Sequence, residues 1–128
     1  MAIQAAVNFT VQLPSAPNFS ASWIIKADAL DRASVTLAKG KTGKLELQPG
    51  TASEILLLVI TSTDYTGAVT FNFGGPTWTI AEPQIVSGPG LMNAVTHSPG
   101  DPNHINFDNS AGTADVNIDV LVLRTAFA

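Results

Sequence analysis

Residues 55–60 read Ile55-Leu-Leu-Leu-Val-Ile60, an uninterrupted apolar run in the middle of the chain. Successive side chains of a β-strand point to opposite faces, so a strand that is apolar at every position needs cover on both faces. A second such strand is predicted at 114–127, where Leu121, Val122 and Leu123 follow an alternating apolar pattern. One core in a short chain cannot easily cover both strands, and we therefore predict an interface. The expected interface residues are Leu56, Leu58, Leu121 and Leu123.

The rest of the chain also reads as strands separated by turns. Residues 4–13 and 20–27 alternate between apolar and polar, which is the period of a half-buried strand. Most of the prolines and glycines lie between such runs, as turns require. The pattern predicts an all-β fold, an antiparallel β-sandwich of jelly-roll or immunoglobulin-like type, with about eight or nine strands.

Several local predictions accompany this fold. Residues 28–33 are expected to form a short helical turn or loop, and Gly40-Lys-Thr-Gly43 is expected to close a hairpin between 35–38 and 44–48. Strands are expected at 68–73, 77–81, 84–86 and 91–96, and residues 105–108 give a weaker strand signal. Trp23 and Trp78 alternate with apolar neighbours and are expected in the core.

Length and composition set the class of protein. A chain of 128 residues is expected to be one domain, residues 1–128. It contains no cysteine, which excludes disulfides and thiolate metal ligands. The first residues lack the pattern of a signal peptide, so we expect cytosolic synthesis, with assembly in a virion or outside the cell as alternatives. The compartment itself is not fixed by the sequence.

Charge is sparse and uneven. Charged residues make up 12% of the chain, about half of the usual share, and the net charge is −4. Residues 1–46 hold five basic and three acidic residues, a balance of +2, whereas residues 47–128 hold one and seven, a balance of −6. An acidic chain without a basic stripe argues against nucleic-acid binding. No stretch is long and apolar enough to predict membrane insertion.

Motifs for catalysis are absent from the sequence. There is no Gly-x-Ser-x-Gly and no His-Glu-x-x-His, and Gly40-Lys41-Thr42 lacks the earlier glycine of a phosphate-binding loop. His97 and His104 are the only histidines. Catalysis needs convergent titratable groups, and this chain offers few of them. We predict that the protein is not an enzyme.

Two sites are candidates for ligands. The 97–109 loop supplies oxygen ligands of the kind that calcium prefers, from Asp101, Asn103, Asp108 and Asn109. Their spacing is not that of an EF-hand, and Asp and Asn also favour turns through their own hydrogen bonds. Tyr65, beside Asp64, is the one aromatic residue expected in solvent, where a ring could stack on a sugar. Apart from calcium, no cofactor is expected.

These patterns favour two functions. The first is a non-enzymatic structural subunit that associates with copies of itself or with another structural protein through apolar strand faces. Components of a virion, tail, filament or surface layer have these properties. The alternative is a carbohydrate-binding module or lectin, with or without calcium, that uses the 97–109 loop together with Tyr65, or with a tryptophan if one lies outside the core.

Overall fold

The computed structural model describes residues 3–47, 54–96 and 104–125. Within these ranges the chain is almost entirely β-structure, with ten strands and one short helix. The elements in chain order are β1 (Ile3–Val11), β2 (Phe19–Ala27), β3 (Ala29–Leu37), β4 (Thr42–Glu46), β5 (Ile55–Ser62), β6 (Thr70–Asn72), β7 (Trp78–Thr79), β8 (Gln84–Ser87), α1 (Pro89–Thr96), β9 (His104–Asp108) and β10 (Val116–Arg124).

The strands form two four-stranded sheets and one separate hairpin, and every strand pair is antiparallel. Sheet I has the order β3-β10-β5-β8, and sheet II has the order β4-β9-β6-β7. The hairpin consists of β1 and β2, which pair only with each other. The inner faces of the two sheets share one apolar core, so the fold is an antiparallel β-sandwich, as predicted from the sequence.

The core is built from alternate residues of the central strands. Leu58 and Ile60 of β5 and Val120 and Val122 of β10 are buried on the inner face of sheet I. Sheet II contributes Ile105, Phe71 and Phe107, and the two phenylalanines are directly opposite each other in β6 and β9, with ring centroids 6.4 Å apart. The two apolar strands identified in the sequence are therefore adjacent in the middle of one sheet.

The face of sheet I that points away from sheet II, called the outer face below, explains why these strands are apolar on both sides. Leu57 and Leu123 lie opposite each other there and are both buried. Their cover comes from Ile25 and Ala27 of β2, which form a second apolar cluster with them. The hairpin of the same chain thus supplies part of the cover that we expected from a partner molecule.

Three local predictions are wrong. Residues 29–33 belong to strand β3, and the segment predicted as a strand at 91–96 lies in helix α1. The turn at Gly40, which has a φ of 73°, does not close a hairpin. It carries the chain from β3 in sheet I to β4 in sheet II.

An ion pair between a buried arginine and a half-buried aspartate lies at the edge of the core. Arg124, the last residue of β10, is buried, and its Nε lies 3.8 Å from Asp31 Oδ2. Asp31 points inward from β3, where the alternation of the strand places it next to the end of β10.

Within the described residues, no helix has the length and apolar composition that a membrane span requires.

Candidate interaction surface

The β1–β2 hairpin has one face that is apolar along its whole length. The register pairs odd-numbered residues with odd-numbered residues, from Ile3 opposite Ala27 to Val11 opposite Phe19. Because side chains alternate between the faces of a strand, all odd-numbered residues share one face. This apolar hairpin face consists of Ile3, Ala5, Val7, Phe9, Val11, Phe19, Ala21, Trp23, Ile25 and Ala27.

The large side chains of this face are buried at one end of the hairpin and exposed at the other. Ile25 is 9% exposed, Trp23 is 39% exposed and Phe19 is 60% exposed. The two ends of β1 differ in the same way, because Ala5 and Val7 pack against the cluster under the hairpin whereas Phe9 and Val11 are exposed. The base of the face therefore rests on sheet I, whereas its tip, formed by Phe9, Val11, Phe19, Ala21 and Trp23, extends beyond the cover that sheet I provides.

The base is held in place where β2 leads into β3. The backbone N–H of Asp28 donates a hydrogen bond of 2.9 Å to the carbonyl oxygen of Arg124. This bond ties the junction between the two strands to the end of β10. Leu57 and Leu123 fill the space directly under Ile25 and Ala27. The hairpin is thus anchored at one end and projects at the other.

The opposite face of the hairpin is mostly polar. Asn8, Thr10, Ser20 and Ser22 lie on it, and the hydroxyls of Thr10 and Ser20 are 3.5 Å apart across the two strands. Ile24 is the one large apolar residue on this face, at 63% exposed. The turn between the strands is stabilised by the Leu13 N–H, which donates to Asn18 Oδ1 at 3.3 Å. The hairpin is therefore amphipathic, with a mostly polar face opposite the apolar hairpin face.

The structure divides the four leucines predicted at an interface into two pairs. Leu58 lies in the core between the sheets and Leu123 lies under the hairpin, so both are fully buried within the chain. The prediction of an interface role is corrected for these two residues, because no partner can reach them. Leu56 and Leu121 are half-buried. Leu56 lies at a shift in the register of β5 and β10, since Leu123 pairs with Leu57 but Arg124 pairs with Ile55, and it packs against the cluster under the hairpin.

Next to the hairpin, the outer face of sheet I carries a shallow depression of about 320 Å³. Its lining residues are Arg32, Val59, Thr61, Asp119, Val120 and Leu121. Leu121 is directly opposite Arg32 on one side and Val59 on the other. The polar edge of the depression is ordered, because the Ser34 hydroxyl donates to Asp119 Oδ1. An apolar floor with an arginine at its rim suits an aromatic side chain.

The predicted calcium loop falls mostly outside the described residues. Asp101 and Asn103 are not described, and only Asp108 and Asn109 can be placed. Asp108 Oδ1 accepts a hydrogen bond of 2.7 Å from the N–H of Ser110, which is the turn alternative for an aspartate. Asn109 is buried, and its Nδ2 donates to the carbonyl oxygens of Ala114 at 3.0 Å and Ala38 at 3.3 Å. Calcium binding stays a prediction.

Hydrogen bonding also lowers the pKa of the Asp108 carboxyl. The Ser110 hydroxyl, followed by the Ser110 N–H, stabilises the charged form and holds the pKa below its ordinary value. Across the ranges 3–47, 54–96 and 104–125, no three His, Asp or Glu side chains cluster closely enough to hold a metal ion.

Tyr65 and Asp64, the predicted ligand-binding pair, occupy the connection that follows β5. Tyr65 is exposed, as predicted, and its hydroxyl accepts a hydrogen bond of 3.0 Å from the N–H of Ser62. Asp64 Oδ1 accepts from the N–H of Thr66 at 2.7 Å. Hydrogen bonds from the hydroxyl and the N–H of Thr66 lower the pKa of Asp64, so the carboxylate is charged at neutral pH.

The two tryptophans are not in the core, contrary to the sequence prediction. Trp23 lies on the hairpin tip, and Trp78 lies on the edge strand β7 of sheet II. The Trp78 Nε1–H donates to the carbonyl oxygen of Val95 in α1 at 3.1 Å, which fixes the orientation of the ring. Alternation with apolar neighbours identified the correct face in the case of Trp23. It could not show that this face runs past the end of its cover.

No protein-family model matches this chain, and no curated protein matches it.

Proposed function

We propose that this protein is a non-enzymatic structural subunit that associates with copies of itself, as components of a virion, tail, filament or surface layer do. The observation that carries the proposal is the exposed tip of the apolar hairpin face. Phe9, Phe19 and Trp23 lie together on one side of a two-stranded ribbon, and all three are exposed. Contiguous exposed apolar groups of this kind mark interaction sites on soluble proteins.

Energetics support association over a solitary monomer. Full burial of a Phe, Val or Leu side chain is worth about 1.5–3 kcal/mol, so each half-exposed residue of the tip forgoes about 1 kcal/mol. A domain has only about 5–15 kcal/mol of net stability. Docking of the tip would therefore contribute a large fraction of that amount. The sparse charge, 12% of residues, also means that neighbouring copies repel each other weakly.

The test compares two apolar residues of strand β2 that point to opposite faces. Phe19→Ser removes an aromatic group from the tip, whereas Ile24→Ser removes an even more exposed apolar group from the polar face. We expect the unmodified protein to sediment as an oligomer at micromolar concentration, Phe19→Ser to dissociate it and Ile24→Ser to leave it intact. An unmodified chain that stays at 13.3 kDa up to its solubility limit would contradict the proposal.

A second candidate, a carbohydrate-binding module, draws support from Trp78. Its ring is exposed and its orientation is fixed by the hydrogen bond to Val95, which are the properties of a stacking platform for a sugar. Tyr65 offers a second exposed ring. A glycan array with and without calcium tests this function. Binding that is lost in Trp78→Ala but kept in Phe19→Ser would favour it over self-association as the role of the exposed aromatics.

A further inference from the structure

We propose that the hairpin tip of one copy docks on the outer face of sheet I of a second copy, in the depression formed by Arg32, Val59 and Leu121, and that the two copies exchange this contact reciprocally. The inference rests on the proposed function and deepens it, because it names both surfaces of the contact. The tip comprises Phe9, Val11, Phe19, Ala21 and Trp23, as defined above.

Within one chain, the base of the same hairpin face already packs on the same sheet face. Ile25 and Ala27 cover Leu57 and Leu123, and the cluster extends to Val59. Val59 also lines the depression, so the depression directly adjoins the contact that the base makes. The contact between copies would therefore continue a packing arrangement that the chain uses internally, with larger side chains on the hairpin.

The depression is open to an incoming side chain. All of its lining residues belong to sheet I, and none belongs to the hairpin of the same chain. Leu121 and Val59 are only half-buried, and Ile85, which is opposite Val59, is exposed. The guanidinium of Arg32 at the rim can lie over the face of an aromatic ring. An aromatic tip and an aromatic-accepting depression are therefore present on the same chain.

The area that the interface would bury favours two reciprocal contacts over a single one. Since a fully buried aromatic side chain removes about 150–250 Å² from water, the exposed fractions of Phe9, Phe19 and Trp23 amount to roughly 250–300 Å². With a similar area on the acceptor, one contact buries roughly 600 Å², and stable interfaces bury about 1,200–2,000 Å². Two reciprocal contacts around a twofold axis reach that range, whereas one contact does not.

Cysteine crosslinking tests the pairing directly, because the chain contains no cysteine of its own. Phe19→Cys in one copy is mixed with Leu121→Cys in a second copy that carries an added tag, and the thiols are oxidised to a disulfide with copper phenanthroline. We expect the mixed dimer to form several-fold more than in the matched control, Ile24→Cys mixed with Leu121→Cys. Position 24 lies on the opposite face of the same strand.

The outcomes separate this inference from the proposed function. If Phe19→Cys crosslinks efficiently with itself and not with Leu121→Cys, the hairpins pack tip to tip, and the inference fails while self-association stands. If the unmodified protein is a monomer by sedimentation, both fail. A variant that carries both Phe19→Cys and Leu121→Cys tests reciprocity. A covalent product that stops at the dimer supports reciprocal exchange, and a ladder of higher oligomers overturns it in favour of an open chain.

Discussion

Two substitutions on the apolar face of strand β2 should differ in cost because one lies at the base of the hairpin and the other at its tip. Ile25→Ala removes a buried side chain from the contact with sheet I. Buried Ile-to-Ala changes cost about 2–5 kcal/mol, and we expect about 2–3 kcal/mol because this small cluster borders solvent and can relax. Phe19 is 60% exposed, so Phe19→Ala should cost only about 1 kcal/mol in the monomer.

Urea unfolding at a protein concentration low enough to keep every variant monomeric measures both costs. Repeating the titration at high concentration adds a second comparison. There, association stabilises the unmodified protein by mass action, and Phe19→Ala should lose that gain while Ile25→Ala keeps part of it. Equal costs in the dilute monomer would refute the reasoning, since they would mean that the tip is packed within its own chain.

Three further predictions concern the body of the sandwich. Leu58→Ala should lower the free energy of unfolding by about 3–5 kcal/mol in chemical denaturation, because Leu58 is fully buried between the sheets; a loss below about 1 kcal/mol would contradict its place there. Gly112→Ala should cost about 2 kcal/mol or more by calorimetry, since a Cβ would overlap Asn109 Oδ1 and displace an amide that donates two hydrogen bonds. Because folding lowers the pKa of Asp108, its carboxylate contributes to the free energy of unfolding above the ordinary pKa, and this contribution is lost as the pH falls through the lowered pKa. Tm measured from about pH 5 to about pH 2 should therefore fall less steeply in Asp108→Asn than in the unmodified protein.

The period-two alternation predicted the sandwich because it reports directly which side chains face a core. β1, β2, β5 and β10 all lie where the apolar pattern placed them. Residues 28–33, Asp-Ala-Leu-Asp-Arg-Ala, lack the period-two pattern, and this concealed the first part of strand β3. The inward residue there is Asp31, and its partner Arg124 is ninety-three positions away, so no local pattern reveals that an acid belongs on the buried side.

Helix α1 and the turn at Gly40 were missed for a different reason. Residues 91–96 are too few to distinguish a strand from a helix by periodicity, although Pro89 at the first helical position is a usual helix start. At Gly40, a tight turn with the Lys41 N–H bonded to the Ala38 carbonyl fits a hairpin and a crossing between sheets equally well. The choice depends on where Leu37 and Leu45 find the core, which is a tertiary effect.

The interaction surface could be predicted only in part. Alternation identified the apolar faces of β1 and β2, and sparse charge predicted association. Which apolar strand stays uncovered depends on how far a hairpin of two nine-residue strands extends beyond the sheet under it, and neither strand's sequence specifies that distance. The expectation therefore fell on the leucines of β5 and β10, whereas the exposed aromatics lie on the hairpin that covers them.

The cluster under the hairpin joins residues from distant parts of the chain, and this has a consequence for synthesis. The ribosome releases Ile25 and Ala27 long before Leu123, on which they pack. Until β10 emerges, the base of the hairpin lacks part of the surface on which it packs. Nascent chains on the same messenger RNA would then expose the same apolar hairpin face to each other. A cell that makes this protein quickly would benefit from a chaperone that binds β1 and β2 until β10 has been synthesised.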